Sequence, residues 1–75
     1  MLKAGDIIER KDGHHVTRGC VISNDRDGLF IMATTGWNFH IPSNHIRVLT
    51  ETDDGKLYTD VKRKSERHLA RFLKG

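Results

Sequence analysis

A single cysteine, Cys20, and a single proline, Pro42, are all that the sequence contains of either residue. One cysteine excludes an intramolecular disulfide. The chain is therefore not a disulfide-stapled secreted domain, and a reducing cytoplasm is the expected compartment. Long apolar runs are also missing. The longest, Leu29 to Ala33, has five residues, against the roughly 20 that a membrane-spanning helix requires. The opening Met1-Leu2-Lys3-Ala4-Gly5-Asp6 reaches an acidic residue at once and has no apolar signal region. No repeat, linker or low-complexity stretch interrupts the 75 residues, which are expected to form one domain. A core this small leaves little material for a deep substrate cleft.

Metal and catalytic motifs are lacking too. His14, His15, His40, His45 and Cys20 could in principle ligate zinc, but no Cys-x-x-Cys pair exists. A structural zinc site wants four ligands at close paired spacings. His14-His15 reads as an exposed loop pair and Cys20 as a small buried residue of a strand. Cys20, a histidine and Asp25 supply the residue types of a nucleophile, base and orienter, yet no motif assembles them. No enzyme activity, cofactor or small-molecule substrate is expected.

What the sequence does have is an uneven charge. The net charge is +3. Residues 1–50 carry six Lys/Arg against five Asp/Glu, whereas residues 61–75 carry six against one. The basic character belongs to the C-terminal end, which points to a polyanion or an acidic surface as partner.

Short apolar runs separated by Gly, Asn and Asp recur about every ten residues, the pattern of a small all-β domain. Strands are predicted over residues 6–10, 16–23, 29–34, 37–41 and 46–49, with a bend or bulge at Gly19. The continuous run of the third strand predicts burial on both of its faces. Trp37, Phe39 and Ile41 fall on one face of the fourth, where they read as core. Pro42 cannot donate to a ladder and should end that strand, and Pro42-Ser43-Asn44-His45 reads as a 3₁₀ turn.

This order of strands and turns resembles the SH3-like barrels, the KOW and Tudor-like branches in particular. Gly5-Asp6-Ile7-Ile8, Gly13 and Gly19-Cys20-Val21-Ile22 carry the resemblance. So does the closing Ile41-Pro42-Ser43-Asn44-His45-Ile46-Arg47-Val48-Leu49. It implies a five-stranded SH3-like barrel over residues 1–50. Plasmid type II dihydrofolate reductase is similar in its barrel and its Gly-Asp-x-Val opening. Its Val-Gln-Ile-Tyr strand motif falls on Asn38-Phe39-His40-Ile41 here, so that activity is not implied. A Tudor-type cage needs several converging aromatics, and only Trp37, Phe39 and Tyr58 stand where they could serve.

Residues 51–59 read as a connecting loop, and from Asp60 the period turns helical, with Thr59 or Asp60 as cap. Val61, Ser65, His68, Leu69, Phe72 and Leu73 form one stripe of an amphipathic helix over residues 60–75. That stripe is expected to cover the barrel, or else to form a homodimer or meet a partner. KOW-like domains bind RNA or DNA, or dock on the machines that handle them. The resemblance therefore implies a nucleic-acid or partner surface. The cations available for it are Arg10, Lys11, Arg18, Arg47, Arg63, Lys64, Arg67, Arg71 and Lys74. The alternative is a protein-interaction regulator of a larger enzyme, similar to small regulators that phages encode.

Overall fold

The computed structural model describes all residues, Met1 to Gly75. Five strands, β1 (Ile7–Asp12), β2 (His15–Asp25), β3 (Gly28–Ala33), β4 (Asn38–Ile41) and β5 (Ile46–Val48), precede one helix, α1 (Glu51–Lys74). The strands form one antiparallel sheet of order β4-β3-β2-β1-β5, whose edge strands β4 and β5 do not pair with each other. No helix is long and apolar enough to cross a membrane.

Both faces of the sheet are apolar because its strands alternate two sets of aliphatic residues. Ile8, Val21, Leu29, Ile31 and Ile41 pack on one face, with Leu2 and Ile46 at their margin. Ile7, Cys20, Met32 and Leu49 pack on the other, where Val61 of α1 closes the cluster with Leu57, Tyr58 and Leu69 beside it. β3 supplies Leu29 and Ile31 to the first cluster and Met32 to the second. Its unbroken apolar run thus reflects burial from two sides, as the sequence predicts.

Gly19 lets β2 and β3 approach closely. A Cβ there would lie 2.1 Å from the Met32 carbonyl oxygen, a distance that no side chain can occupy. The expected irregularity of β2 sits instead between Val21 and Ser23, where the pairing with β3 shifts register. Ser43 to His45 form bends after Pro42 rather than a 3₁₀ turn, with His45 left-handed at φ 62°. Arg10 straps this corner, its Nε donating to the Asn44 carbonyl at 3.1 Å and its guanidinium to Asn44 Oδ1 at 3.0 Å.

Two expectations are corrected. Residues 51–59 are not a connecting loop but the beginning of α1. Thr50 is the cap, its hydroxyl accepting from the Asp53 N–H at 3.0 Å, and Glu51, Asp53 and Asp54 suit the positive end of the helix. Gly55, at φ 51° and ψ −118°, kinks the helix between this first turn and the remainder. Few residues other than glycine adopt that backbone.

The second correction concerns Trp37. It precedes β4 at the β3–β4 hairpin and is 75% exposed, so it is no core anchor. Phe39 and Ile41 do share the face of Ile31 and Leu29, their partners across β3. Yet Phe39 is 38% exposed and only Ile41, at 7%, is buried. β4 is an edge strand, and its alternation fixes which face a residue occupies, not its depth.

Candidate functional site

The nine candidate cations divide into two groups once their partners are known. The first group is neutralised within the sheet. Glu9 lies in β1 between β2 and β5, and its cross-strand neighbours are Arg18 on one side and Arg47 on the other. Glu9 is only 2% exposed. Its carboxylate accepts from Arg18 Nε at 2.8 Å and from Arg47 at 3.2 Å, with Lys11 Nζ at 3.8 Å. Burial alone would push the Glu9 carboxyl up. Hydrogen bonds from the two arginines, with the charges of Lys11 and Arg18, outweigh burial and hold it below its ordinary value.

The same cluster reaches the helix. Arg47 also donates to Asp54, and Asp54 accepts from the Thr50 N–H at 2.7 Å. The Thr50 amide first, and then Arg47, lower the Asp54 pKa. Arg10 is bound to Asn44 and lies 3.7 Å from Asp12. Arg10, Arg18 and Arg47 therefore carry structural duties, and Lys11 faces a carboxylate.

On α1, Arg63 and Lys64 both meet Asp60, each at 3.2 Å, and Lys62 meets Glu66 at 3.0 Å. Lys64 foremost holds the Asp60 carboxyl low. Arg67, Arg71 and Lys74 are exposed and engage no carboxylate and no hydrogen-bond acceptor. They recur at spacings of four and three, so they line one flank of the helix. Lys56 and Arg26 are likewise without an ion pair. Lys56 lines a shallow polar groove outside the kink with Glu51, Thr59, Asp60 and Arg63, in which charges of both signs are mixed.

The sheet-facing stripe of α1 is Val61 and Ser65, followed by the half-buried His68 and Leu69. The Ser65 hydroxyl donates to the Val61 carbonyl at 2.6 Å. Further along, Phe72 lies 6.4 Å from Phe30, and Phe30 lies 4.8 Å from His40. The His68 ring packs against Gly36 of the β3–β4 hairpin, where a Cβ would come within 3.2 Å of it. At about 100° per residue, His68 lies between the buried stripe and the flank of Lys64, Arg67 and Arg71. The hairpin thus touches α1 at Gly36, whereas Trp37, opposite Ala33 and alternating with Asn38, falls on the face of Phe39 and Ile41 rather than on the Met32 face that α1 covers. Trp37 pairs with no other aromatic ring.

The remaining histidines do not converge. His14, His15 and His45 are exposed, and His40 Nε2 lies 3.7 Å from Asp25. No group of three or more His, Cys, Asp or Glu side chains is placed to hold a metal ion. Cys20 is buried, and burial raises its thiol pKa away from the reactive range.

The exposure of Trp37 was not readable from the sequence, where the strand alternation assigns the ring to the core. The one available signal was Thr35-Gly36, a turn pair directly before it. No protein-family model matches the chain, and neither a curated protein nor a solved structure matches it significantly.

Proposed function

We propose that the chain is a non-catalytic binding module of SH3-like barrel type that holds the backbone of a nucleic acid on the outer flank of α1. It acts either on the bare polymer or within a machine that handles it. The barrel reading is supported by the strand order and by Ile8, Val21, Leu29, Ile31 and Ile41 meeting on one face of the sheet. The functional reading rests on one observation. Of the cations from Arg63 to Lys74, Arg67, Arg71 and Lys74 are left without counter-charges, in a row on one flank. Cations that support a fold are paired, as Arg18 and Arg47 are, whereas a row of unpaired ones repels itself unless an anion arrives. Phosphate contacts of this kind are sequence-independent, so weak sequence preference is expected.

A second reading, a regulator that docks on a larger protein, draws on the exposure of Phe72 and Leu73 at the end of α1. The two separate on the variant R67Q/R71Q/K74Q. These side chains are exposed and form no ion pair or hydrogen bond, so the variant should melt close to the parent. It should lose binding to a fluorescent oligonucleotide measured by anisotropy. A parent that binds no oligonucleotide, but retains one stoichiometric protein after nuclease treatment of a cell extract, would decide for the second reading.

A further inference from the structure

We propose that the chain pairs with a second copy of itself along the outer edge of β4, extending the sheet antiparallel across a two-fold axis at Phe39. The inference is independent of the cationic reading of α1.

β3 pairs with one side of β4 and no strand pairs with the other. Which backbone groups this leaves free follows from the ladder. The Ala33 N–H donates to the Trp37 carbonyl at 2.8 Å, so Trp37 turns its backbone toward β3. Backbone direction alternates along an antiparallel strand. Phe39 and Ile41, opposite Ile31 and Leu29, therefore face β3 as well. Asn38 and His40 point their N–H and C=O groups outward. The next outward position is Pro42, which has no N–H, so the free ladder is confined to these two residues.

That pattern is its own complement. A two-fold axis at Phe39 sets Asn38 of each copy opposite His40 of the other. Four hydrogen bonds then satisfy every outward group of both strands. A two-fold at Asn38 or at His40 would instead set a free residue against the Gly36 turn or against Pro42. Directly opposed residues share a face of the sheet. Phe39 therefore meets its own copy, Trp37 meets Ile41 and Asn38 meets His40, so apolar lies on apolar and polar on polar.

The exposure and charge of the edge fit the same occupant. Trp37 is 75% and Phe39 38% exposed, both on this one strand and the turn before it. From Gly36 to Asn44 there is no Lys, Arg, Asp or Glu, so two chains of net charge +3 bring no like charges together here. Unpaired edges are ordinarily guarded by charges, bulges or a covering element. β4 has no charged residue and its pairing shows no register shift, whereas the opposite edge, β5, carries Arg47. Pairing would take roughly 500 Å² of aromatic surface out of water. Stable complexes bury ~1,200 Å² or more, so the dimer should be weak and concentration-dependent.

Sedimentation equilibrium of the full chain tests this, in enough salt to screen the cationic helices. The parent should be monomeric at about 1 µM and increasingly dimeric toward about 1 mM. Trp37 emission should move to shorter wavelength over the same range. F39K and F39E should each stay monomeric, because like charges meet across the axis, and an equimolar mixture of the two should dimerise. Phe39→Cys should oxidise to a linked dimer, since opposed residues of this kind lie about 4.5 Å apart at Cα, within the reach of a disulfide. Asn38→Cys, two positions out of line with its own copy, should not, and Cys20 is buried and does not compete. The cysteine pair adds no charge to the fold, so it decides the register even where F39K or F39E melts early. A parent that is monomeric throughout, a folded F39K that dimerises like the parent, an F39K/F39E mixture that stays monomeric, or Asn38→Cys cross-linking as fast as Phe39→Cys would each overturn the proposal.

Discussion

Glu9 in β1 and Arg47 in β5 are joined at 3.2 Å across neighbouring strands, and Arg47 passes the link to Asp54 in the first turn of α1. One buried carboxylate thereby ties the sheet to the start of the helix.

This tie should make stability sensitive to acid. Asp6, Glu9, Asp54 and Asp60 are all lowered from ordinary values of 3.8 or 4.5. A carboxylate lowered in the folded state stabilises the fold above its unfolded pKa, and that contribution fades as pH falls through the folded value. Urea midpoints should therefore be level from neutral pH to about 5 and fall below that. Glu9→Gln should cost about 1–3 kcal/mol at neutral pH, as expected for charged hydrogen bonds at a buried group, and should flatten the acid limb. A variant with the parent's limb would show that Glu9 does not titrate with folding.

Gly19→Ala should be among the most damaging single changes. Its methyl would enter the space of the Met32 backbone, which cannot turn aside as a side chain can. Overpacking of this kind costs about 1–3 kcal/mol, and a backbone clash belongs at the upper end or beyond. Thermal melting of Gly19→Ala checks this, and a melting temperature equal to the parent's would refute the close packing of β2 on β3.

Removing residues 60–75 should uncover Ile7, Cys20, Met32 and Leu49, the cluster that Val61 closes. The remaining sheet would expose one whole apolar face, so aggregation or a much lower melting temperature is expected. A truncated chain that stays monomeric and equally stable would mean that the helix is an independent arm.

Trp37→Ala should leave stability within about 0.5 kcal/mol of the parent, since exposed substitutions rarely do more. Ile31→Ala, at a fully buried position, should cost about 2–5 kcal/mol. Denaturant unfolding of the two variants side by side tests the placement of the core. The opposite ranking would return Trp37 to the interior.

These contrasts show what the residues alone disclose. The five strands follow from local signals, namely β-branched runs, glycines at turns and Pro42 after β4. The two-sided burial of β3 was legible because Leu29 to Ala33 has no polar residue to turn outward. The start of α1 was hidden, since Glu51 to Asp54 reads as a polar loop and Gly55 as a break. Thr50, three residues before Asp53, was the capping signal that locates it. The cations were legible as a set. Which of them are free was not, because the pairing of Glu9 with Arg18 and Arg47 depends on strand register between distant segments.

The salt dependence of oligonucleotide binding tests the cationic flank most directly. Each engaged cation contributes a slope of about −0.7 in log K against log salt on a single strand. Arg67, Arg71 and Lys74 together should give the parent about −2, and R67Q/R71Q/K74Q should be nearly flat at unchanged melting temperature. A slope that is the same in both proteins, or no measurable binding by the parent at low salt, would contradict the assignment of this flank to nucleic acid.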